Sequence, residues 1–121
     1  MKYIANSFTT IGKGAFSGIK ACFQRVITSP VEWDDFWQQH KSNVDSPPPI
    51  PEVDFTQNQV VAVFAGEKPK GNFSVEIISV EVTDKQIDIT VKYDQPVLNA
   101  VVPPVDTQPY HIIKIPQKRS D

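Results

Sequence analysis

Nucleophilic or acid–base catalysis needs an activated nucleophile, a base within reach and a group that orients the base. Few residues of this chain qualify: it has two histidines, His40 and His111, and one cysteine, Cys22. A thiol nucleophile would need Cys22 folded against one of those histidines. Cys22 lies in the strand-like run Ala21-Cys22-Phe23, where a small core residue is the simpler reading. His40 closes an apolar helical stripe and His111 sits inside an apolar strand, so both read as packed histidines before they read as bases. No group of His, Cys or carboxylates has metal-ligand spacing, and Asp34 and Asp35 are neighbours on the outer face of a predicted helix. The run Gly66-Glu67-Lys68-Pro69-Lys70-Gly71 lacks P-loop spacing, and Pro69 removes a backbone donor that a phosphate would need. The expectation is a protein that is not an enzyme and has no metal or cofactor.

Binding surfaces then become the functional candidates, and in β domains these are usually loops on a rigid scaffold. Two loops stand out. Residues 66–72 form a short charged turn between two strands, with an ordinary solvated hairpin turn as the plainer reading. Residues 101–109 carry Pro103, Pro104 and Pro109, which stiffen an exposed segment and lower the entropy lost on binding; protection of a sheet edge accounts for them equally well. The candidate partner-binding residues are Lys68, Pro69, Lys70, Gly71, Asn72, Phe73, Asp106 and Thr107. A small-ligand pocket between helix and sheet, near Trp33, Trp37 and His40, is the alternative location.

The elements that must position these residues are mostly strands. The helix signal is confined to Ser29-Pro30-Val31-Glu32-Trp33-Asp34-Asp35-Phe36-Trp37-Gln38-Gln39-His40: Ser29 as N-cap, Pro30 at the first helical position and Glu32 as the capping-box partner. Trp33, Phe36, Trp37 and His40 follow the spacing of one helical face, which should pack on a sheet. The helix spans about residues 30–41, and Asp45-Ser46-Pro47-Pro48-Pro49-Ile50-Pro51 follows as an extended surface connection.

Strands are predicted over residues 19–28, 59–65, 73–82, 86–93, 97–102 and 110–115, with a weaker one over 3–10 and a glycine-marked segment over 12–18. Residues 59–65 are almost continuously apolar, the pattern of a central strand buried on both faces. Residues 73–82 and 86–93 form the clearest hairpin, joined by Thr83-Asp84-Lys85. Its first strand changes apolar phase between Ile77 and Ile78, which a β-bulge would reconcile. The fold class is mainly β, with a minor α component: an antiparallel sandwich or curled sheet of about seven strands with one amphipathic helix packed on it.

At 121 residues and 13.6 kDa the chain suits one domain, since a break at the prolines would leave roughly 45 residues, marginal for an independent core. A net charge of −2 leaves no basic footprint for nucleic acid, and Lys114, Lys118 and Arg119 read as a solvated terminus. A single cysteine rules out an internal disulfide. No apolar run reaches membrane-spanning length and no signal peptide is visible. The chain as written therefore reads as cytosolic, though a precursor from which an export signal had been trimmed would read the same.

In order, the segments Val60-Val61-Ala62-Val63-Phe64-Ala65-Gly66, Lys68-Pro69-Lys70-Gly71-Asn72-Phe73 and Pro109-Tyr110-His111-Ile112-Ile113-Lys114-Ile115-Pro116 resemble the C-terminal domain of the protease complex subunit PrcB. The resemblance runs from about residue 51 to 116 and also takes in relatives that are mostly uncharacterised. It departs at the turn, where the family's Pro-Thr-Gly-Gly-Tyr stands here as Pro69-Lys70-Gly71-Asn72-Phe73, although Asn72 can occupy a positive-φ position. The resemblance implies a noncatalytic accessory domain that associates with a protease or stabilises it, whose named members are exported or lipid-anchored. The loops also look like those of the chagasin-type inhibitors, which wedge into a protease cleft. The reading is a noncatalytic protein-binding domain, with a loop-wedge protease inhibitor or a small-ligand carrier as alternatives.

Overall fold

The computed structural model describes residues 3–4, 8–83 and 86–116; Lys118 and Arg119, and Asp84 and Lys85 of the predicted turn, lie outside them. The elements are β1 (Tyr3–Ile4), β2 (Thr9–Gly14), β3 (Cys22–Ile27), α1 (Pro30–His40), β4 (Asn58–Ala65), β5 (Ser74–Val82), β6 (Ile87–Asp94) and β7 (Tyr110–Pro116). They make two antiparallel sheets, a larger one ordered β2-β7-β4-β3 and a smaller one ordered β1-β5-β6.

Strand parity explains the layering. In β4, Val60, Ala62 and Phe64 face one way, and with Ile112 and Tyr110 of β7 they meet Trp33, Phe36 and Trp37 of α1. Val61, Val63 and Ala65 face the other way, and with Ile113 and Ile115 they meet Val75, Ile77 and Val80 of β5. The larger sheet is thus the middle layer, covered on one face by the helix and on the other by the smaller sheet. That explains why β4 reads as an unbroken apolar run: as predicted, it is central and buried on both faces.

The helix begins as its sequence requires. Ser29 is extended (φ −137°, ψ 153°), its Oγ accepts the Glu32 N–H at 3.3 Å, and Pro30 occupies the first turn. The Glu32 carboxylate reaches back to the same hydroxyl at 3.3 Å. Trp33 Nε1–H donates to the Pro51 carbonyl at 2.9 Å, so the proline-rich connection is fastened to the helix it follows.

β5 and β6 form the expected hairpin, and the ladder slips between Ile77 and Ser79. Ile78 is the extra residue, 52 % exposed, while Ile77 and Val80 stay in the core. The inter-sheet face supplies a partner for the backbone there: the Ile77 N–H donates to His111 Nδ1 at 2.9 Å. On the other side of the ring, His111 Nε2 lies 2.9 Å from Thr10 Oγ1. With Nδ1 accepting, the proton sits on Nε2 and donates to the threonine. Burial holds the His111 pKa below its usual value, assisted by Lys13 and opposed by Glu76. His111→Leu keeps an apolar filling but orphans a buried N–H, so it should destabilise the fold by about 1–3 kcal/mol; urea unfolding at pH 7.5 would show the loss as a lower midpoint.

Four expectations need correction. Residues 97–102 are not a strand: Pro96 starts the segment, Asn99 takes φ +68°, and the turn closes with the Ala100 N–H on the Val97 carbonyl at 3.1 Å. β7 instead pairs with β4 and β2. Cys22 is not a core residue but exposed, because β3 is an edge strand and Cys22, Gln24 and Val26 all lie on its uncovered face. The 66–72 segment is not a hairpin turn, since β4 and β5 belong to different sheets. Finally, the glycine-marked segment is partly strand. Gly12 and Gly14 belong to β2 because Tyr110 lies across them: a Cβ at Gly14 would stand 3.2 Å from the Tyr110 hydroxyl, a close approach that only a bare backbone permits comfortably.

Candidate partner-binding surface

At the end of β4 the chain must cross from the larger sheet to the smaller, and Gly66 starts the crossing at φ +86°. The 66–73 segment then lies against 103–108, and the two are fastened together by backbone bonds. Lys68 and Thr107 exchange both: the Lys68 N–H donates to the Thr107 carbonyl at 2.8 Å and the Thr107 N–H to the Lys68 carbonyl at 2.9 Å. The Gly71 N–H donates to the Pro103 carbonyl at 2.8 Å, and Thr107 Oγ1–H to the Lys70 carbonyl at 2.9 Å. Gly71 permits this approach, as a Cβ there would lie 3.1 Å from the Pro103 ring.

Gln108 anchors the base of the crossing. Its Nε2–H donates to Glu67 at 2.8 Å, its Oε1 accepts the Ser17 N–H at 3.0 Å, and its own N–H donates to the Ala15 carbonyl. Asn72 adopts φ +66°, the positive-φ position expected of it. The Lys68 ammonium sits 5.6 Å from the centre of the Phe73 ring.

This geometry divides the sequence-predicted candidates. Pro69, Lys70, Asn72 and Asp106 are exposed, and Lys68 and Phe73 half-buried, so these six can face a partner. Thr107 is only 2 % exposed and Gly71 is buried; both are spent holding the loops together. The most conspicuous residues of the surface were not among the candidates. Just before Pro103 the loop raises Val97 (77 % exposed), Leu98 (90 %) and Val101 (99 %) into solvent, with Val105 beside them. Their signal in the sequence was Pro96 and Asn99 interrupting an apolar stretch, which marks a turn and argues against the strand expected there.

The alternative pocket is filled. Trp33, Trp37 and His40 are buried, and the rings of Trp33, Trp37, Phe36, His40, Phe64 and Tyr110 pack in one aromatic group with centroids 4.4–6.2 Å apart. An open groove lies outside α1, bordered by Gly18, Asp35, Gln38, Gln39 and Ser42.

One pairing went unread in the sequence: Ser17 Oγ lies 2.7 Å from His40 Nδ1, a distance at which a histidine can serve a serine nucleophile. Here each residue is 1 % exposed, and the Ser17 oxygen also accepts the Ile19 N–H at 3.0 Å. The Gly18 N–H donates to the His40 carbonyl at 2.8 Å. The pair therefore ties the β2–β3 connection to the end of α1 and leaves no room for a substrate. Burial, with a smaller contribution from Lys41, lowers the His40 pKa to about 4, so the ring is neutral at physiological pH.

Among the described residues no group of three or more His, Cys, Asp or Glu could hold a metal, and no helix is long and apolar enough to cross a membrane. Fold and surface define a three-layer, mainly β domain carrying a cross-braced pair of loops with an apolar tip. Residues 59–116 match the family model described as PrcB C-terminal. The match starts in β4 and ends with β7, so it contains both loops, while α1, β1, β2 and β3 complete the fold from outside it. No curated protein and no solved structure matches the chain.

Proposed function

We propose that the chain is a noncatalytic accessory domain that binds a protein partner, a protease, through the braced loops 66–73 and 95–106. The match of residues 59–116 to the PrcB C-terminal model supports association with a protease complex. The observation that carries the loop assignment is the apolar tip: three large aliphatic side chains stand in water on a loop whose far end, at Pro103 and Thr107, four hydrogen bonds hold to residues 68–71. Exposed apolar groups on a rigid support can be desolvated by a partner with little ordering cost. Lys68, Lys70, Asn72 and Asp106 then supply a polar rim around the tip.

The test is affinity capture of the tagged protein from its native cell extract with proteases identified by mass spectrometry, comparing wild type with L98D/V101D. Both substitutions are at exposed sites and should leave stability within about 0.5 kcal/mol, while loss of an apolar anchor should reduce retained protease by at least about tenfold. Equal retention by the variant would remove the loop assignment, and no protease with the wild type would remove the protease reading. Because the tip projects from the domain, proteolytic activity should be assayed in the same complex: a fall in turnover that needs Leu98 and Val101 would make the domain a loop-wedge inhibitor.

A further inference from the structure

β6 is a long free edge. It pairs only with β5 among the described residues, runs for eight residues, and contains neither proline nor glycine. Natural sheets usually blunt such an edge with one of those residues, a lysine, an inward-pointing charge, a bulge or a covering segment; β6 carries Lys92 on its outward face but no charge on its inward face. Here the inward-facing side chains Ile87, Ile89 and Val91 are apolar and half-buried, whereas Val75, Ile77 and Val80 on neighbouring β5 are at most 2 % exposed. Tyr93, next in the same row, is 54 % exposed. The core therefore continues to the edge, and no strand among the described residues covers it there.

The pattern along the strand is self-complementary. If a second β6 runs antiparallel to the first with Thr90 opposite Thr90, then Asp88 of each strand faces Lys92 of the other, Ile89 faces Val91, Ile87 faces Tyr93 and Asp94 faces Gln86. Every charged residue meets an opposite charge or an amide, and every apolar residue meets an apolar one. A shift of one residue in either direction would face apolar side chains with polar ones, because side chains alternate between the two faces of a strand.

We propose that β6 is a homodimerisation edge, on which the occupant is β6 of a second copy of this chain in this register. The product is one continuous six-stranded sheet, β1-β5-β6-β6-β5-β1, with a twofold axis at Thr90. An interface of this kind is isologous: one surface patch serves both partners, and each favourable pair occurs twice. The loop 95–106 follows directly on β6, but the edge is made by residues 86–94 and by none of the tip side chains, so charge reversal there is read independently of protease binding.

Charge reversal tests it. Sedimentation over a range of concentrations, with reductant present to keep Cys22 out of disulfides, should show wild-type protein at about twice 13.6 kDa at the upper end. K92D places carboxylates opposite one another at both copies of the pair and should raise the dimer dissociation constant at least about tenfold; D88K should do the same. The double variant D88K/K92D restores opposite charges and should recover the dimer. Recovery also shows that the single variants failed through pairing rather than folding.

The register has its own test. T90C in a C22S background should oxidise to a covalent dimer, because facing Cα atoms in an antiparallel pair lie about 4.5–5.5 Å apart, within disulfide range. K92C in the same background should not, since the two copies would be separated by four residue steps along the strands, roughly 13 Å. A wild-type protein monomeric at every concentration overturns the proposal, as does a dimer indifferent to K92D and D88K, or a double variant that stays monomeric.

Discussion

Trp33→Ala should lower the stability of this domain by about 3–5 kcal/mol, the largest single loss expected outside the strands. The indole is 3 % exposed, stacks on Phe36 and lies tilted against Trp37 with centroids 5.9 and 5.5 Å away, so its removal leaves a void bounded by rings that cannot easily collapse into it. It also holds the proline-rich connection through the bond from Nε1–H to the Pro51 carbonyl. The two contributions separate with a second variant. Trp33→Phe keeps most of the packing and loses the hydrogen bond, so it should cost much less, about 1–2 kcal/mol. Urea unfolding reads both values, and an unchanged slope would show that the native state has kept its compactness. If Trp33→Ala costs less than about 1 kcal/mol, the helix is not packed on the larger sheet as described.

What could be read from the chain follows from how local each determinant is. The start of α1 rests on Ser29, Pro30 and Glu32, within four residues, and the bulge in β5 rests on the parity change at Ile77 and Ile78; both appear as predicted. The segment that matches the PrcB C-terminal model was legible because three motifs resembling that family fall in order within residues 59–116. Determinants set by distant neighbours were not legible. Exposure of Cys22 depends on how far the smaller sheet extends over β3, and the roles of Gly12 and Gly14 depend on Tyr110, about a hundred residues away. The same holds for the surface: nothing local distinguishes the buried Thr107 from the exposed Asp106 before it, because the Lys68 bridge decides which of them turns inward. In residues 97–102 a strand-like composition competed with turn residues, and the turn residues prevailed because no partner strand was adjacent to bury the valines.

The neutral state of His40 makes the fold sensitive to mild acid. Its pKa is near 6.5 when unfolded and about 4 when folded, and that of His111 is also lowered on folding. Between those limits the unfolded chain binds protons that the folded chain refuses, so stability is fully present above about pH 7 and declines as pH falls through 6.5 toward 4. For His40 the span amounts to roughly 3 kcal/mol at most, lost by pH 4; His111 adds a further loss of the same sign. Protonation of His111 is opposed by geometry as well as burial, since a proton on Nδ1 would confront the Ile77 N–H that now donates to it. The expected result is a urea midpoint that is level from pH 8 to 7 and falls steadily from 6.5 downward. Proton NMR gives an independent reading: in the folded protein the His40 ring should show no titration near pH 6.5. A normal titration there, or a midpoint unchanged between pH 7 and 5, would mean that the ring reaches water and that the bond to Ser17 is not the one holding the end of α1.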